Sequence, residues 1–401
     1  MTLPLIVYRS LRQHALSTLV TAGSIALATG LLMVVWMVKV QSQKAFLETS
    51  TGFDAVLGAR GSKLQLVLNS IFHLEASAGN LSAADYAQIK RHPAVKSAIP
   101  LALGDNYLGY RIVGTVEELF TQVDYSPGRK HAIQPGGRLF AGSAREAVAG
   151  SFVAKKLGLK VGDTFRPYHG LVFDPATQHE EVYTITGVLA PTSTPADKVL
   201  WIPLAGIQTM QGHDPKAATD VSAVLIQLRA PTAGFMLDLM YNRQGNRLTF
   251  AYPVAAIIAD LFGKIGWFDR VLALVAYLVA LVAAGSVLSS IYASMSARRR
   301  DLAILRALGA RRRTVFGAVV AEAAVIGLIG AAAGFAVYLG LLAAVAGVIR
   351  AQTGVAIDVF AGHAVLWIGP AGMVALCALG GIVPAIKAYR VPVAETLAPT
   401  S

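Results

Sequence analysis

Four long apolar stretches, residues 15–38, 271–297, 314–343 and 363–386, constrain this chain more than any other feature. Each can supply the roughly 20-residue helix that spans a bilayer, where a helix satisfies its backbone hydrogen bonds internally. The composition agrees: 55% of the 401 residues are hydrophobic and 14% charged, well away from a soluble domain. The third stretch continues to Ile349, so its helix is either tilted or extended beyond the membrane. The first is longer than a signal-peptide core and has no clear small-residue cleavage site after it, which reads as a retained helix.

A net charge of +12 could suggest nucleic acid, but its placement argues otherwise. Between Gln41 and Asp269 about 21 basic residues face 19 acidic ones, so most of the excess flanks the apolar stretches. Arg9 and Arg12 precede the first stretch, and Arg298, Arg299, Arg300, Arg306, Arg311, Arg312 and Arg313 crowd the connection between the second and third. By the positive-inside rule that connection is cytoplasmic. Four crossings then put both termini in the cytoplasm, with Lys387 and Arg390 in agreement and Lys39 a minor dissent. Ahead of the first crossing, Leu3, Val7 and Leu11 fall near helical spacing, either as a helix lying in the membrane interface or as an extension of the crossing.

The connection from 41 to 267 is long enough for a domain with its own core. Its pattern is mixed. Ser82 with Asp85 three positions on forms a capping signal for one helix, and a second should stop near Gly158. "EAVAG", "EVYTITGVLA", "KVLWIPL" and "VSAVLIQLRA" read as strands. "AAIIADLFGKIGWFDR" is helical and runs directly into the second crossing. The fold class is therefore an α-helical integral membrane protein with four transmembrane helices, plus an α+β extracytoplasmic domain inserted between the first and second. Three segments follow: 1–40, an interfacial segment and the first transmembrane helix; 41–267, the extracytoplasmic domain; and 268–401, with three transmembrane helices.

Catalytic patterns are missing from the sequence. There is no phosphate-cradling G-x-x-x-x-G-K-[ST] loop; "GARGSK" at 58–63 has the wrong spacing and reads as a turn. H-E-x-x-H and G-x-S-x-G do not occur. His73, His131, His169 and His179 are scattered without ligand spacing, and Cys377 is the one cysteine. The chain is read as binding no cofactor and no metal, and as having no nucleic-acid partner.

The segment 296–322, "SARRRDLAILRALGARRRTVFGAVVAE", is the most informative. Asp301 opens a short helix, Leu302, Leu305 and Leu308 recur every third residue, and Gly309 is placed to end it. An apolar ridge framed by arginines can dock on a soluble partner, with Arg306 at the rim, or lie on anionic lipid. Two further features bear on packing and binding. Gly330 and Gly334 frame "GAAAG", a small-residue pattern that allows close helix approach in lipid, within one chain or between two. Leu64, Leu68, Ile71 and Phe72 fall at roughly helical intervals, as an apolar contact for a lipidic or amphipathic substrate or as core. Glu322 is the main ionisable residue within a crossing and reads as structural.

"RRRDLAILRALGARRRTVFGAVVAEAAVIGLIGAAAGFAVY" resembles the FtsX-like permeases, which include MacB macrolide exporters and lipoprotein-release permeases. The resemblance continues in the closing "PAIKAYRVPVAETL" and the first helix. "EAVAGSFVAKKLGLKVGDTF" and "YTITGVLAPTSTPADKVLWIPL" are similar to the MacB-type periplasmic core domain. Residues 53–80 depart from the pattern. The resemblance implies the membrane subunit of an ABC transporter in the bacterial inner membrane, paired with a second copy and two separate ATPase subunits that bind ATP and Mg. It implies that the loop 298–313 meets the ATPase. It further implies mechanotransmission: ATP-driven closure moves the extracytoplasmic domain to export or extract a substrate, with a periplasmic adaptor or chaperone as a further partner. The alternative is an FtsX-type signalling module acting on an extracytoplasmic partner such as a cell-wall hydrolase.

Overall fold

The structure is a computed structural model that describes residues 3–49, 52–211, 218–297, 304, 307 and 310–389. It divides into two units. One comprises Met1–Gln41, Gly266–Gly347 and Asp358–Ser401; the other comprises Ser42–Ile265 and Val348–Ile357.

Among the described residues, four helices are long and apolar enough to cross a membrane: Ala15–Thr49, Val254–Ala297, Arg312–Thr353, and a span over Val365–Ile386. They are called the first to fourth long helices. The second has 44 residues and the third 42, so both outrun a bilayer crossing. The third therefore extends rather than ending at the apolar limit, and the helical stretch before the second crossing is continuous with it. A separate helix, Leu3–Gln13, precedes the first long helix, with a turn at His14 between them.

In the first unit, Ile25, Ala28, Ala283, Val287, Val319, Ala323, Ile326, Met373 and Cys377 form one buried cluster drawn from all four long helices. Small residues dominate it because dispersion and close approach, rather than water exclusion, hold helices together in lipid.

The second unit is built on a sheet. Its strands are β1 (Ala55–Ala59), β2 (Val95–Tyr107), β3 (Tyr110–Thr115), β4 (Asp124–Ser126), β5 (Arg129–Lys130), β6 (Glu146–Ala149), β7 (Thr164–Phe165), β8 (Tyr168–His169), β9 (Tyr183–Val188), β10 (Leu200–Pro203), β11 (Ala223–Leu228) and β12 (Leu248–Ala251). Among the described residues, ten of these make one sheet in the order β12-β1-β11-β2-β3-β10-β6-β9-β7, with β8 paired to β2; β4 and β5 form a separate ribbon. Pairing is antiparallel except for β10 with β3 and β6 with β9. The four strands expected from composition are β6, β9, β10 and β11.

Side-chain alternation explains why these strands look continuously apolar. Val56, Val148, Trp201 and Leu225 enter one core, while Leu57, Val224 and Ile226 enter a second. Ala147, Ala149, Leu200 and Ile202 enter a third. Successive residues of a strand point to opposite faces, so a sheet covered on both sides needs apolar residues at every position.

Local signals act as the sequence suggests. Ser82 caps Ala83–Lys90: its hydroxyl accepts from Asp85 N–H while the Asp85 carboxylate accepts from Ser82 N–H. Gly158 ends Ser151–Leu157 at φ +70, a left-handed conformation that costs a residue without Cβ little.

Candidate functional site

The third long helix is the packing hub of the first unit. A Cβ at Gly330 would stand 2.6 Å from Ile25 Cβ and 2.9 Å from the Ala22 carbonyl oxygen, and one at Gly334 would stand 2.9 Å from Thr29 Cβ. The first long helix reciprocates, since a Cβ on Gly30 would lie 2.7 Å from Val337 Cβ. Thr29 turns its hydroxyl to the Ile25 carbonyl at 2.8 Å, leaving its methyl side at the crossing. On another side, a Cβ at Gly327 would meet Cys377 Cβ at 2.9 Å. The small-residue stripe is thus filled by helices of the same chain. Glu322, also on this helix, accepts a hydrogen bond from the Ser10 hydroxyl of the preceding short helix. This partner answers the question the sequence leaves about a lone acid among apolar residues.

The segment expected to meet the ATPase lies mostly outside the described residues: Asp301, Leu302, Leu305, Arg306, Leu308 and Gly309 are not described. Ile304, between them, is exposed.

The apolar segment 64–72 enters the sheet domain. Leu66–Val67 and Phe72 are buried in the largest core, with Leu68 and Ile71 packed against it, and Leu64 is half-buried. Ile71 also lines a cavity of about 70 Å³ together with His73, Val123, His131, Pro195 and Trp201. His73 packs edge-on to Trp201, with ring centroids 5.6 Å apart, and its carbonyl accepts from Arg111 Nε at 3.3 Å. Burial, reinforced by the Arg111 guanidinium, lowers the His73 imidazole to about 3. Burial between Phe120 and Tyr125 lowers His131 to about 4.

Both imidazoles stay neutral in the fold and become charged when it opens. Below pH ~6.5 the unfolded chain therefore holds more protons, so stability rises with pH in this window and is lost on acidification. Each histidine should contribute a slope of about 1.4 kcal/mol per pH unit from pH ~6.5 down to its folded value. Hydrogen exchange of the β10 and β11 amides in the solubilised chain, compared between pH 7 and pH 5, should show this loss of protection. His131→Phe should remove about half of it; an unchanged slope in a His73→Phe, His131→Phe variant would contradict the assignment.

A third group was not apparent from spacing. Pairing between β2 and β3 shifts register between Leu103 and Asp105, leaving Gly104 as an extra residue. Such a bulge re-aims the side chain that follows it. Asp105 is fully buried and sits across the ladder from His169 on β8. An isolated bridge between Tyr168 and Gln178 brings the returning chain alongside, and His179 N–H donates to the Pro167 carbonyl at 2.8 Å. Asp105 Oδ1 is consequently 3.4 Å from His169 Nδ1 and 3.3 Å from His179 Nε2.

"GARGSK" also has a settled place. Gly58 lies within β1, where a Cβ would be 2.2 Å from Leu66 Cδ1, and Lys63 pairs with Asp238 at 2.5 Å. Residues 60–62 join the end of β1 to the helix Lys63–Ser70.

Two family profiles match the chain: the MacB-like periplasmic core domain over residues 15–234 and the FtsX-like permease C-terminal over residues 273–393. No curated protein matches it significantly. Similar solved structures include the periplasmic region of MacB from Actinobacillus actinomycetemcomitans, at 11% identity and TM-score 0.35, covering 53% of this chain and 95% of that one. Another is the extracellular domain of the noncanonic ABC-type transporter YknZ from Gram-positive bacteria, at 15% identity and TM-score 0.31, covering 49% of this chain and 97% of that one. The first profile spans more than half of the chain, and the second covers the third and fourth long helices with the C-terminal part of the second. By those matches the chain belongs to the family of MacB- and FtsX-type ABC transporter permeases.

Proposed function

We propose that this permease transmits motion from a separate ATPase to its sheet domain, for export or extraction of a substrate from the outer leaflet or periplasm. The observation that carries the reading is the length and continuity of the second and third long helices. At 1.5 Å per residue, 44 and 42 residues extend roughly 66 and 63 Å, about twice a bilayer's hydrocarbon core. Continuous helices of that length are stiff elements that can carry displacement past the membrane.

The segment that leaves the third helix supports this. Val348–Ile357 belongs to the same unit as the sheet. There Lys198 Nζ donates to the Gln352 carbonyl at 2.6 Å, and a Cβ added at Gly354, at φ +78, would stand 3.0 Å from the Thr194 carbonyl oxygen and 3.1 Å from Pro195 Cα. Asp197 makes the Thr194–Pro195 turn rigid by accepting from Thr192 N–H, Ser193 N–H and the Thr192 hydroxyl at 2.8–3.1 Å. A shift of the helix end would therefore reach β10, which begins two residues beyond Lys198.

In this reading a homodimer sits in the bacterial inner membrane with both termini and residues 298–313 cytoplasmic. Each copy engages one ATPase through that loop, and an adaptor or chaperone acts at the sheet domain. ATP and Mg belong to the ATPase, and the permease performs no chemistry. The test is ATP turnover in lipid nanodiscs. The permease alone should give none, the ATPase alone a basal rate, and the two together a stimulated rate. Turnover by a preparation of the permease free of other ATPases would overturn the division of labour.

A further inference from the structure

We propose that Asp105, His169 and His179 form a binding site for one borderline divalent transition-metal ion of the Zn2+ type, on the sheet domain. Their ligand atoms all lie within 4.8 Å of one another.

The spacing is the first argument. Zinc bonds of about 2.0–2.1 Å in a tetrahedron place neighbouring ligand atoms roughly 3.3–3.4 Å apart. The two Asp105–imidazole separations are 3.3 and 3.4 Å. A charge-assisted hydrogen bond between imidazole and carboxylate would be shorter, about 2.7–2.9 Å. Both edges thus fit the span of a shared ion, and in the structure His179 Nε2 and Asp105 Oδ1 share a long hydrogen bond. The imidazoles cross at 78° with centroids 5.5 Å apart, so the rings are not stacked on one another.

Donor chemistry selects the ion. Two imidazole nitrogens and one carboxylate oxygen suit zinc and its neighbours, whereas magnesium and calcium prefer oxygen alone. A dication would also compensate the carboxylate of Asp105, which has no exposure to solvent. Access is available from one side, because the His169 side chain is 54% exposed while His179 is 6%. Three protein ligands with one open side leave the fourth position to water.

The surroundings hold the ligands in place before any ion arrives. Asn106, next to Asp105 and fully buried, donates from Nδ2 to the carbonyls of Gly170 and Val172 at 3.0 and 3.3 Å. The Thr177 hydroxyl donates to the His169 carbonyl at 3.1 Å. These bonds order the backbone between the two histidines. Binding would pin the excursion between β7 and β9 to β2, a strand near the centre of the sheet.

The experiment uses the full chain, solubilised in detergent, without a polyhistidine tag and stripped with chelator. Titrated with Co2+, it should take up one equivalent with the visible d–d bands of a four-coordinate site, and one equivalent of Zn2+ should bleach them. His169→Ala should abolish the bands and weaken Zn2+ binding by more than the roughly 10–100-fold typical for loss of an outer-sphere partner. His92→Ala, at a residue outside the group, should leave both unchanged. Zn2+ should slow hydrogen exchange over residues 166–181 in the native chain and not in His169→Ala. His179→Ala should behave like His169→Ala; if that buried replacement does not fold, the exposed His169 still decides. Absence of the bands from the native chain, or bands of equal strength in His169→Ala, would overturn the site.

Discussion

A Leu305→Asp, Leu308→Asp double variant is expected to insert into the membrane normally and yet lose ATPase association and stimulated ATP turnover. Leu302, Leu305 and Leu308 recur at three-residue spacing between two arginine clusters, and the proposed function puts the ATPase contact in this loop. An aliphatic ridge of that kind fills a groove on a soluble partner, with Arg306 able to add a charge-assisted bond at its rim. A carboxylate at the centre of such a contact is left desolvated without a counterion, which costs roughly 2–5 kcal/mol, a factor of about 30 or more in affinity. Gly309 is suited to reverse the chain toward the third long helix. Arg350→Ala provides the control, because Arg350 belongs to the unit that contains the sheet. It should leave association unchanged. The readouts are co-purification with the ATPase and turnover in nanodiscs. Native association and turnover in a properly inserted double variant would reduce the loop to a topology signal, and the transmission mechanism would fall with it.

Gly330→Leu should produce the largest loss of stability in the membrane unit. Even the Cβ of alanine would stand 2.6 Å from Ile25 Cβ, and its other near neighbour is the backbone oxygen of Ala22, which cannot rotate aside. Three more carbons have no space at that crossing. Overpacking a well-filled contact typically costs 1–3 kcal/mol and occasionally more, and here the helices must separate rather than repack. Gly330→Ala should fall between Leu and the native residue, despite alanine's advantage of about 1 kcal/mol in helix propensity. Gly340→Ala, on the same helix with nothing within 4 Å of the added carbon, should be neutral or stabilising. Thermal unfolding of the solubilised chain followed by size-exclusion chromatography measures the series. If Gly330→Leu and Gly340→Ala have the same midpoint, the close crossing with the first long helix does not exist.

The histidine pair and the proposed metal ligands show how differently one residue type can be used in one domain. His73 and His131 are held neutral by apolar surroundings, and their contribution is a stability that acid removes. His169 and His179 converge instead on a carboxylate. Nothing in the spacing of the four along the chain separates these roles.

The features legible in the residues alone are those that depend on short-range pattern. Hydropathy over 20-residue windows is enough to place four membrane helices, because hydrocarbon demands internally bonded segments of that length. Ser82 with Asp85, and Gly158, are legible because caps and left-handed turns are decided within a few residues. Strands β6, β9, β10 and β11 stand out through β-branched residues between turn signals. By contrast, β2 is obscured by Pro100, which removes a ladder donor, and by Gly104 at its bulge. Its identity as a strand rests on pairing with β11, more than 100 residues away. Only tertiary structure decides which helix meets Gly330 and Gly334, since a small-residue stripe states that something approaches closely without stating what. The same holds for Asp105, His169 and His179: sheet register and one bulge bring them within 4.8 Å, and register is set by non-local pairing that no local period encodes.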